Sequence, residues 1–469
     1  MILSHPSVPA SARQQSATQI VERLRAAGHA AYFAGGCVRD LLLGREPLDF
    51  DVATSATPQQ VLAMFPRTFA VGAQFGVVLV VDAYEQAEIL TEVATFRNDG
   101  AYKDGRRPES VSYTDSAEQD VLRRDFTING MLIDPARLHD SRSVNVAVLD
   151  FVGGREDLQK GIIRAIGDPS QRFAEDKLRM LRAVRFAARF GFEIEDNTLR
   201  AIRAAAAEID QVSRERVREE LTRMLTEGAA RRAFELLEQS GLLVEVLPEI
   251  ARMRGVGQPP QYHPEGDVWI HTLMLLEQLP AGSPATLAWG ALLHDVGKPA
   301  TFRVAPDRIR FDGHVEVGVR MAEEICHRLR MSNSDTEQIL ALVANHMRFA
   351  DVENMRDSTL KRFFRLDRFD EHLALHRMDC MASHRDLSLY QFVLGRYQTA
   401  APEQIRPTPL MTGDDLIALG YRPGPEFRTM LNLVEDDQLE GTIHSREEAL
   451  ARIAERFPRP ASKSKKNSR

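Results

Sequence analysis

The spacing of apolar residues changes once along this chain, near residue 160. Before that point short β-branched runs alternate with helical stretches, and residues 31–34, 50–53, 76–81 and 87–96 are predicted to be strands. From about residue 168 to 457 apolar residues recur at three- and four-residue intervals, which predicts helices only. The pattern therefore predicts an α+β chain with an N-terminal mixed sheet and a long all-α region.

Two breaks in this pattern suggest domain boundaries. Residues 255–264 are rich in Gly, Pro and Gln, and residues 400–409 carry several prolines. The predicted division is a disordered leader (1–19), a mixed-sheet head (20–160), a helical neck (161–254), a helical body (255–400), a helical tail (401–460) and a disordered basic end (461–469).

Composition excludes several classes of function. Lys and Arg number 60 against 67 Asp and Glu, a net charge of −7, so a nucleic-acid site would need a local concentration of Arg. No apolar run reaches the ~18 residues of a membrane helix, and no membrane partner is expected. The three cysteines form no CxxC pair, which argues against a disulfide framework and favours the cytoplasm.

Two aspartates in the head form a candidate metal site. In a strand, Asp49 and Asp51 lie on one face while Phe50 and Val52 lie on the other, so that two carboxylates converge above a core. Such a pair suits two Mg²⁺ ions that bridge an attacking hydroxyl and a triphosphate. An isolated Asp-x-Asp is more often a surface turn. Glu92, in the predicted strand 87–96, is the candidate third carboxylate.

Other segments of the head suit phosphate groups. The Gly35-Gly36 turn allows the backbone to approach a ligand closely, and the amides of the following helix can face a phosphate. Arg123 and Arg124 can bind phosphate oxygens bidentately, although paired surface arginines are commonly only solvated. Residues 97–108 are too polar to pack and predict a mobile loop beside the site.

A helix that opens with residues 175–179 carries an arginine stripe. Its arginines fall within one third of the helix circumference and apolar residues lie opposite; the arginines are Arg179, Arg182, Arg185 and Arg189. Asp176 and Arg179 are neighbours on the helix surface, and together they supply an acceptor and donors that can bond the Watson–Crick edge of a base. Spacing alone leaves an ordinary intrahelical ion pair as the alternative interpretation.

Five motifs in this order make a family resemblance specific. They are GGCVRDLLLG (35–44), DFD (49–51), ATFRND (94–99), RRDFTINGM (123–131) and EDKLR (175–179). The chain resembles the class II nucleotidyltransferases, the bacterial-type CCA-adding enzymes and their poly(A) polymerase relatives, from about residue 32 to 457.

The resemblance implies a role for each motif. The 20–160 head would be the nucleotidyltransferase domain, and the 161–254 neck would carry nucleotide- and RNA-binding motifs. Catalysis is expected of Asp49 and Asp51, with Glu92 as the candidate third carboxylate, and Mg²⁺ binding is expected of Asp49 and Asp51. Nucleotide binding is expected of Gly36, Arg39, Arg123, Arg124, Asp125, Glu175, Asp176, Arg179 and Arg182. Within that set the Asp and Arg of EDKLR would select CTP and then ATP, with the Glu orienting the Arg, and residues 97–108 would help the switch from C to A.

The helical body contains a second constellation. His271, His294-Asp295, His314, His346 and Asp379 resemble the pattern of HD-domain phosphohydrolases, with all six positions filled. Six His and carboxylate groups can hold two ions of Mn, Fe, Co, Ni or Zn. Residues 255–400 are therefore expected to form an HD metal-dependent phosphohydrolase-like body. The alternative is that some of these histidines are structural.

The expected function is template-independent addition of CMP and AMP to the tRNA 3′ end, with CTP, ATP and tRNA as partners. A poly(A) polymerase, or a partial enzyme that adds only CC or only A, is the alternative within the family. A different class, an HD nucleotide hydrolase with a non-catalytic RNA-binding head, remains open. The oligomeric state is left open.

Overall fold

The computed structural model describes residues 8–70, 76–85, 87–99, 111–138, 144–261, 263–264 and 266–458. Strands are concentrated in the N-terminal part and helices follow, which confirms the predicted α+β class. Chain contacts divide the protein into two compact units. One extends to Ala251 and includes residues 279–283 and 328–330, and the other contains the rest.

The head is built on a seven-stranded sheet of order β3-β4-β5-β2-β1-β8-β9. Only the β2–β5 pair within it is parallel. The strands of the head, with the separate β6–β7 pair, are β1 (Ala31–Ala34), β2 (Asp51–Thr54), β3 (Thr68–Phe69), β4 (Val77–Tyr84), β5 (Ala87–Thr95), β6 (Arg97–Asp99), β7 (Val111–Tyr113), β8 (Met131–Ile133) and β9 (Val148–Asp150).

The four predicted strands correspond to β1, β2, β4 and β5 with shifts of at most three residues. In β5 the odd-numbered positions Ile89, Thr91 and Val93 are buried, whereas Glu88 and Glu92 are exposed. This two-residue alternation is the reason that the sequence identifies the strand. The predicted loop 97–108 begins in fact with strand β6, and its remaining residues, 100–108, lie outside the described part of the chain.

The prediction of a disordered leader over residues 1–19 is wrong for residues 10–19. These residues begin helix α1 (Ala10–Ala26), and residues 1–7 lie outside the described part. The helix buries Ala17, Ile20, Val21 and Leu24, which recur at three- and four-residue intervals and pack α1 against the sheet. Burial of this stripe stabilises a segment whose polar N-terminal composition favoured disorder.

Helices of the first unit complete the head and form the neck. They are α2 (Gly36–Leu42), α3 (Pro58–Met64), α4 (Ala117–Leu122), α5 (Val144–Ala147), α6 (Gly154–Lys160), α7 (Pro169–Glu175), α8 (Leu178–Phe190), α9 (Asp196–Ala205), α10 (Arg214–Thr226), α11 (Ala230–Gln239), α12 (Leu242–Val246) and α13 (Pro248–Ala251). A parallel pair, β10 (Ile162–Ile163) with β11 (Glu193–Ile194), interrupts the region predicted to be all-α, because two-residue strands are too short to show a period.

Among its described residues, the regular structure of the second unit is helical apart from one short hairpin, β12 (Arg303–Val304) with β13 (Ile309–Arg310), and an isolated bridge between Gly257 and Asp267. Its helices are α14 (Val268–Leu276), α15 (Ala285–Leu293), α16 (Lys298–Thr301), α17 (His314–Arg328), α18 (Asn333–Asn345), α19 (Asp357–Phe363), α20 (Phe369–Ala382), α21 (Ser388–Thr399), α22 (Pro402–Ile405), α23 (Gly413–Ala418), α24 (Pro425–Glu440) and α25 (Arg446–Arg456). The basic end predicted at 461–469 lies outside the described residues.

Two further expectations concern the chain as a whole. Among the described residues no helix has the length and apolar character needed to cross a membrane. The three cysteines, Cys37, Cys326 and Cys380, are buried free thiols, and burial raises the pKa of each above its ordinary value.

Candidate active sites

Three carboxylates come from two neighbouring central strands of the head sheet and the residues just before one of them. Asp51 is the first residue of β2, Asp49 precedes that strand, and Glu92 lies on the neighbouring strand β5. Burial, with repulsion from Glu92 and Asp49, raises the pKa of Asp51 to about 7. Glu92 is solvent-accessible, but partial desolvation by the surrounding protein and the Asp49 charge also raise its pKa. The three groups are therefore electrostatically coupled.

Their spacing differs from that of a closed metal site. Within the described residues, groups of three ligand atoms that lie within 4.8 Å of one another occur only in the helical body. Asp49 is outside β2, contrary to the prediction of a strand over residues 50–53 with both aspartates on its face, although the two carboxylates still interact. Arg13 on α1 is the cation that acts on Asp49 and opposes the rise of its pKa caused by burial.

Asp51 also lines a cavity of about 480 Å³ in which arginines predominate. The cavity is lined by Gly35, Gly36, Arg39, Asp51, Arg123, Arg124, Asp125, Asn129, Asp176, Arg179, Arg182, Arg185, Phe186, Arg189 and Arg223. Eight of these fifteen residues are arginines, the local cationic concentration that the acidic net charge requires for a polyphosphate site. The structure thus brings together residues from four of the five motifs, and the strand bearing Glu92 adjoins β2.

The turn between β1 and α2 forms one wall of this cavity. Gly35 has φ 74° and ψ −128°, a conformation that favours glycine, and a Cβ there would lie 3.4 Å from Arg124 Nη1. Arg39 is 5% exposed, donates to Asn129 Oδ1 over 2.7 Å, and lies over the Phe190 ring. Because these contacts fix the guanidinium, it is oriented before any ligand arrives.

The RRDFTINGM segment is held by an acid that the sequence analysis missed. Arg123 and Arg124 pair with buried Asp120, one helical turn upstream, at 2.5 and 3.0 Å. Asp125 pairs instead with Arg182 over 2.6 Å. Burial opposes ionisation of both acids, but these arginines hold the pKa of Asp120 and that of Asp125 below their ordinary values. Asp120 lies three and four residues before Arg123 and Arg124, and this helical spacing is the sequence signal that could have identified it as their partner.

The EDKLR segment does not open a helix as predicted. Glu175 ends α7, Asp176 has extended backbone angles, and α8 begins at Leu178. Glu175 Oε2 accepts from Arg179 Nη1 over 2.7 Å, whereas the Asp176 carboxylate accepts from Arg216 on α10. Asp176 contacts Arg179 through the backbone, where its carbonyl accepts the Arg179 N–H over 3.0 Å. Because the helix is interrupted between α7 and α8, Asp176 and Arg179 both line the same cavity, and each is oriented separately.

The predicted arginine stripe of α8 does face the cavity, and the apolar side chains opposite it are buried. Arg185 is buried rather than solvated: it is 3% exposed and pairs with buried Glu220 over 2.6 Å. Arg189 lies 3.6 Å from Glu227. The stripe is therefore a set of acid-anchored arginines. Glu220 and Arg216 gave no local signal, because their partners are 35 and 40 residues away.

The helical body brings all six predicted ligands together as two adjoining groups. The first group is His271, His294 and Asp379, and the second is Asp295, His314 and His346. His271 Nε2 lies 3.1 Å from Asp379 Oδ1, and Asp295 lies 3.1 Å from His294 and 3.8 Å from both His314 and His346. Asp295 is thus placed between the two groups.

The histidine rings are oriented by backbone carbonyls. The Nδ1 atoms of His294, His314 and His346 lie 2.9, 3.0 and 2.7 Å from the carbonyl oxygens of residues 291, 311 and 343. A carbonyl only accepts, so each Nδ1 carries the hydrogen and each Nε2 of a neutral ring is an acceptor. Burial lowers the pKa of His346 to about 4 and also lowers that of His314.

Two neutral acceptors then face each other: His314 Nε2 and His346 Nε2 are 3.4 Å apart. A cation between them turns this repulsion into coordination, and Nδ1 bonds of this kind are the usual support of metal-ligating histidines. Nitrogen and carboxylate donors together suit first-row transition metals. The residues present therefore fit a divalent-metal centre. Gly297 allows the backbone after Asp295 to lie against the backbone of His314, because a Cβ at Gly297 would lie 2.1 Å from the His314 carbonyl oxygen.

Three family models match successive parts of the chain. The model described as Poly A polymerase head domain matches residues 31–164, and that described as probable RNA and SrmB-binding site of polymerase A matches residues 191–253. The HD domain model matches residues 266–372. The chain therefore matches, in order, a polymerase-type head, a polymerase RNA-binding segment and an HD domain. Nucleotidyltransferase head domains and HD domains, the types matched here, generally use divalent metals.

Curated proteins are similar to this chain over about half their length. A CCA-adding enzyme of Geobacillus thermodenitrificans is 44% identical over 231 residues, covering 49% of this chain and 53% of the relative. One from Leuconostoc mesenteroides is 43% identical over 220 residues, covering 47% and 52% respectively. The chain thus spans about half the length of the curated relatives it matches.

Solved structures match over nearly the whole chain. The Bacillus stearothermophilus CCA-adding enzyme in complex with CTP has a TM-score of 0.71 and 27% identity, and the match covers 94% of this chain and 98% of that one. A Thermotoga maritima CCA-adding enzyme complexed with tRNA has a TM-score of 0.56 at 18% identity, which supports the fold alone.

Proposed function

We propose that this protein adds CMP and AMP to the 3′ end of tRNA without a nucleic-acid template. The observation that carries the proposal is that Asp51, a candidate metal ligand, lines the same arginine-rich cavity as Asp176 and Arg179, the candidate base-reading pair. The similarity to a CCA-adding enzyme solved with CTP, over 94% of this chain, supports it. Three buried free thiols are in keeping with action in the cytoplasm.

Different residues of the cavity would bind different parts of the nucleotide. Gly36, Arg39, Arg123, Arg124 and Asp125 would hold the triphosphate and ribose. Asp176 would accept from, and Arg179 would donate to, the Watson–Crick edge of the base, with Glu175 orienting Arg179 and Arg182 completing this side. Both groups have fixed partners, so the cavity would select a base by hydrogen-bond pattern.

The head carboxylates fit hard cations, and Asp49 and Asp51, with Glu92, would hold two Mg²⁺ ions. When bound, such ions assist deprotonation of the RNA terminal hydroxyl and neutralise charge on the pyrophosphate leaving group. The hydroxyl oxygen forms a bond to the α-phosphorus as the bond to pyrophosphate breaks. The arginines would orient the triphosphate for this displacement, and no covalent enzyme intermediate is required.

The test is extension of tRNA that lacks its 3′ end with CTP alone, ATP alone and both. We expect CC with CTP alone and CCA with both nucleotides. A long A tract would identify a poly(A) polymerase, and products that stop at CC, or that gain only A, would identify a partial enzyme. No extension under any condition would leave the class of HD hydrolases with a non-catalytic RNA-binding head.

The His–Asp cluster favours a second function. We propose that the HD body is a phosphohydrolase that uses Mn, Fe, Co, Ni or Zn held by His271, His294, Asp295, His314, His346 and Asp379. The opposed Nε2 acceptors of His314 and His346 support it. In hydrolysis of a 2′,3′-cyclic phosphate, a water oxygen bonds to phosphorus, one ester P–O bond breaks, and a water proton ends on the departing ribose oxygen.

A further inference from the structure

The cavity beside the HD cluster is larger than metal chemistry requires. It has a volume of about 690 Å³ and reaches from the ligands His314, His346 and Asp379 to the start of α21. A phosphate group on two metals would fill only a small part of this space. Pockets of roughly 300–1,000 Å³ accept whole organic ligands, so the remaining space is large enough for an organic group.

Polar groups in the cavity are largely held by other protein groups. Lys298 Nζ lies 2.7 Å from both Asp295 Oδ2 and Gln258 Oε1. Arg310 pairs with Asp307 over 2.9 Å. His376 stacks on the Phe349 ring with 4.2 Å between centroids. These contacts explain the charged and polar wall as internal structure.

The apolar part of the wall is explained only in part: Leu389 packs on a hydrophobic core, and the Phe311 ring has Lys298 Nζ and the Phe302 ring at 5.5 and 6.0 Å from its centroid. This apolar part consists of Pro259, Ile309, Phe311, Met347, Ala350 and Leu389. Two of these are tied directly to metal ligands: the Phe311 carbonyl orients His314, and Met347 follows His346 in sequence. Met347 is 48% exposed, although exposing a thioether side chain to water brings no stability.

An aromatic ring and a thioether are favourable partners for the face of a nucleobase. Stacking on an aromatic side chain tolerates every base, and sulfur makes favourable contacts with π systems. Phe311 lies three residues before His314 and Met347 directly follows His346. Both side chains are therefore held close to the position that a metal-bound phosphate would take. A substrate held in this way has a phosphate ester at the metals and a flat ring one ribose away.

We propose that Phe311 and Met347 form a nucleobase platform that makes the HD body selective for nucleotides, purine over pyrimidine, against phosphate esters without a base. This inference rests on the proposed hydrolase function. Purines are favoured because the larger bicyclic ring covers more of the platform. Phe311 and Met347 are specificity-determining residues in this proposal and take no part in bond breaking.

The first test uses the unmodified full-length protein loaded with each of the five metals. Hydrolysis of adenosine 2′,3′-cyclic phosphate, the uridine analogue and methyl riboside 2′,3′-cyclic phosphate is compared. We expect kcat/KM to fall in that order, with about a 5- to 100-fold loss on removal of the base. Equal rates for the adenine and abasic substrates would overturn the platform while leaving the hydrolase function intact.

The second test uses variants of the platform. Met347→Ala and Phe311→Leu should raise KM for the adenosine substrate about 3- to 30-fold, leave the abasic substrate unchanged, and keep the bound metal content. Met347→Leu should recover part of the loss. Ile417→Ala is the matched control, since Ile417 is 49% exposed and belongs to α23, away from the cavity lining.

The outcomes separate the two proposals. Absence of hydrolysis with every metal and substrate would overturn the hydrolase function and the platform together. An equal loss on adenosine and abasic substrates in Met347→Ala would assign Met347 to metal positioning and contradict the platform. A loss confined to base-bearing substrates supports it.

Discussion

Asp176 and Arg216 form a two-point ion pair across the neck: Arg216 Nη2 lies 2.8 Å from Asp176 Oδ2, and Nη1 lies 3.2 Å from Oδ1. The same Oδ1 accepts the backbone N–H of Leu178 over 3.1 Å. Asp176 therefore occupies the break between α7 and α8 with a fixed orientation. A base-reading acceptor of this kind would be ready before the nucleotide binds.

We expect Arg216→Ala to loosen nucleotide selection more than it slows the reaction. Loss of a hydrogen-bonded ion-pair partner is worth about 1.5–3 kcal/mol, and we expect roughly a tenfold fall in discrimination of CTP and ATP against UTP and GTP. The ratio of kcat/KM values for the four nucleotides measures it. Arg216→Lys should be nearly as impaired, because an ammonium group lacks the two-point fork.

Arg214→Ala is the control for this experiment, since Arg214 lies on the same helix and pairs with Asp210. Both variants lose one positive charge from α10. A similar loss of selectivity in the two would mean that Arg216 acts through general RNA or nucleotide attraction rather than through Asp176.

The Asp176–Arg216 pair illustrates where sequence reasoning ends. The helical period placed the arginine stripe on the correct face of α8, because positions on one helix are set by local geometry. The partner of Asp176 lies 40 residues away on another helix. The helical period within either segment gives no information about a contact between residues so far apart in sequence. The interruption between α7 and α8 at Asp176 has no local sequence signal either, because Glu, Asp, Lys and Leu are all compatible with a continuous helix.

Arg179→Ala tests base reading directly. The guanidinium is held by Glu175 and by the Arg123 carbonyl oxygen, so its removal leaves a gap where a base edge would be bonded. A lost bidentate contact costs about 1–3 kcal/mol of discrimination, roughly 5- to 150-fold. Incorporation of UMP and GMP into tRNA, sequenced at the 3′ end, measures this. Full rejection of UTP and GTP by the variant would reduce Arg179 to a structural ion pair.

Prediction was easiest where one segment carries the whole signal. Strand β1 was predicted residue for residue, and β5 showed its alternation of Thr91, Glu92 and Val93. Helix α1 was missed although Ala17, Ile20, Val21 and Leu24 carried the helical period, because the polar residues before them suggested disorder. The six ligands of the HD body are spread over more than 100 residues, from His271 to Asp379, so only the family resemblance assembled them in advance.

Asp51→Asn should abolish nucleotide addition while it stabilises the metal-free protein. The amide holds no metal charge, and removal of such electrostatic stabilisation costs at least ~10²-fold in rate. Buried Asp51 is itself unfavourable when ionised beside Glu92 and Asp49, as its pKa of about 7 shows. With EDTA at pH 8 the variant should be more stable by roughly 2–4 kcal/mol, seen as a higher midpoint of thermal unfolding.

The pH dependence of this effect has a defined sign. A folded pKa of about 7 lies above the ordinary value near 4, so the native state binds more protons than the unfolded state between these pH values. Stability of the metal-free parent therefore falls as pH rises from 4 to 7, and the advantage of Asp51→Asn should grow over that window and level off above it. Mg²⁺ should stabilise the parent more than the variant. A parent whose stability does not change relative to the variant between pH 5 and 8 would contradict the raised pKa.

The double variant His294→Ala, Asp295→Ala should strip the metal of the HD body and stop hydrolysis of 2′,3′-cyclic nucleotides, while addition of CMP and AMP continues. Asp295 contacts ligands of both groups, so its loss opens both at once. None of the six ligands precedes His271, and the head carboxylates are hard oxygen donors that suit Mg²⁺. Metal analysis of purified protein gives the first readout. His327→Ala, with a ring 70% exposed on α17, is the control and should keep both metal and hydrolysis. If the parent itself binds no Mn, Fe, Co, Ni or Zn and hydrolyses no cyclic nucleotide with any of them, the HD body has no hydrolase role and its six-residue cluster is structural.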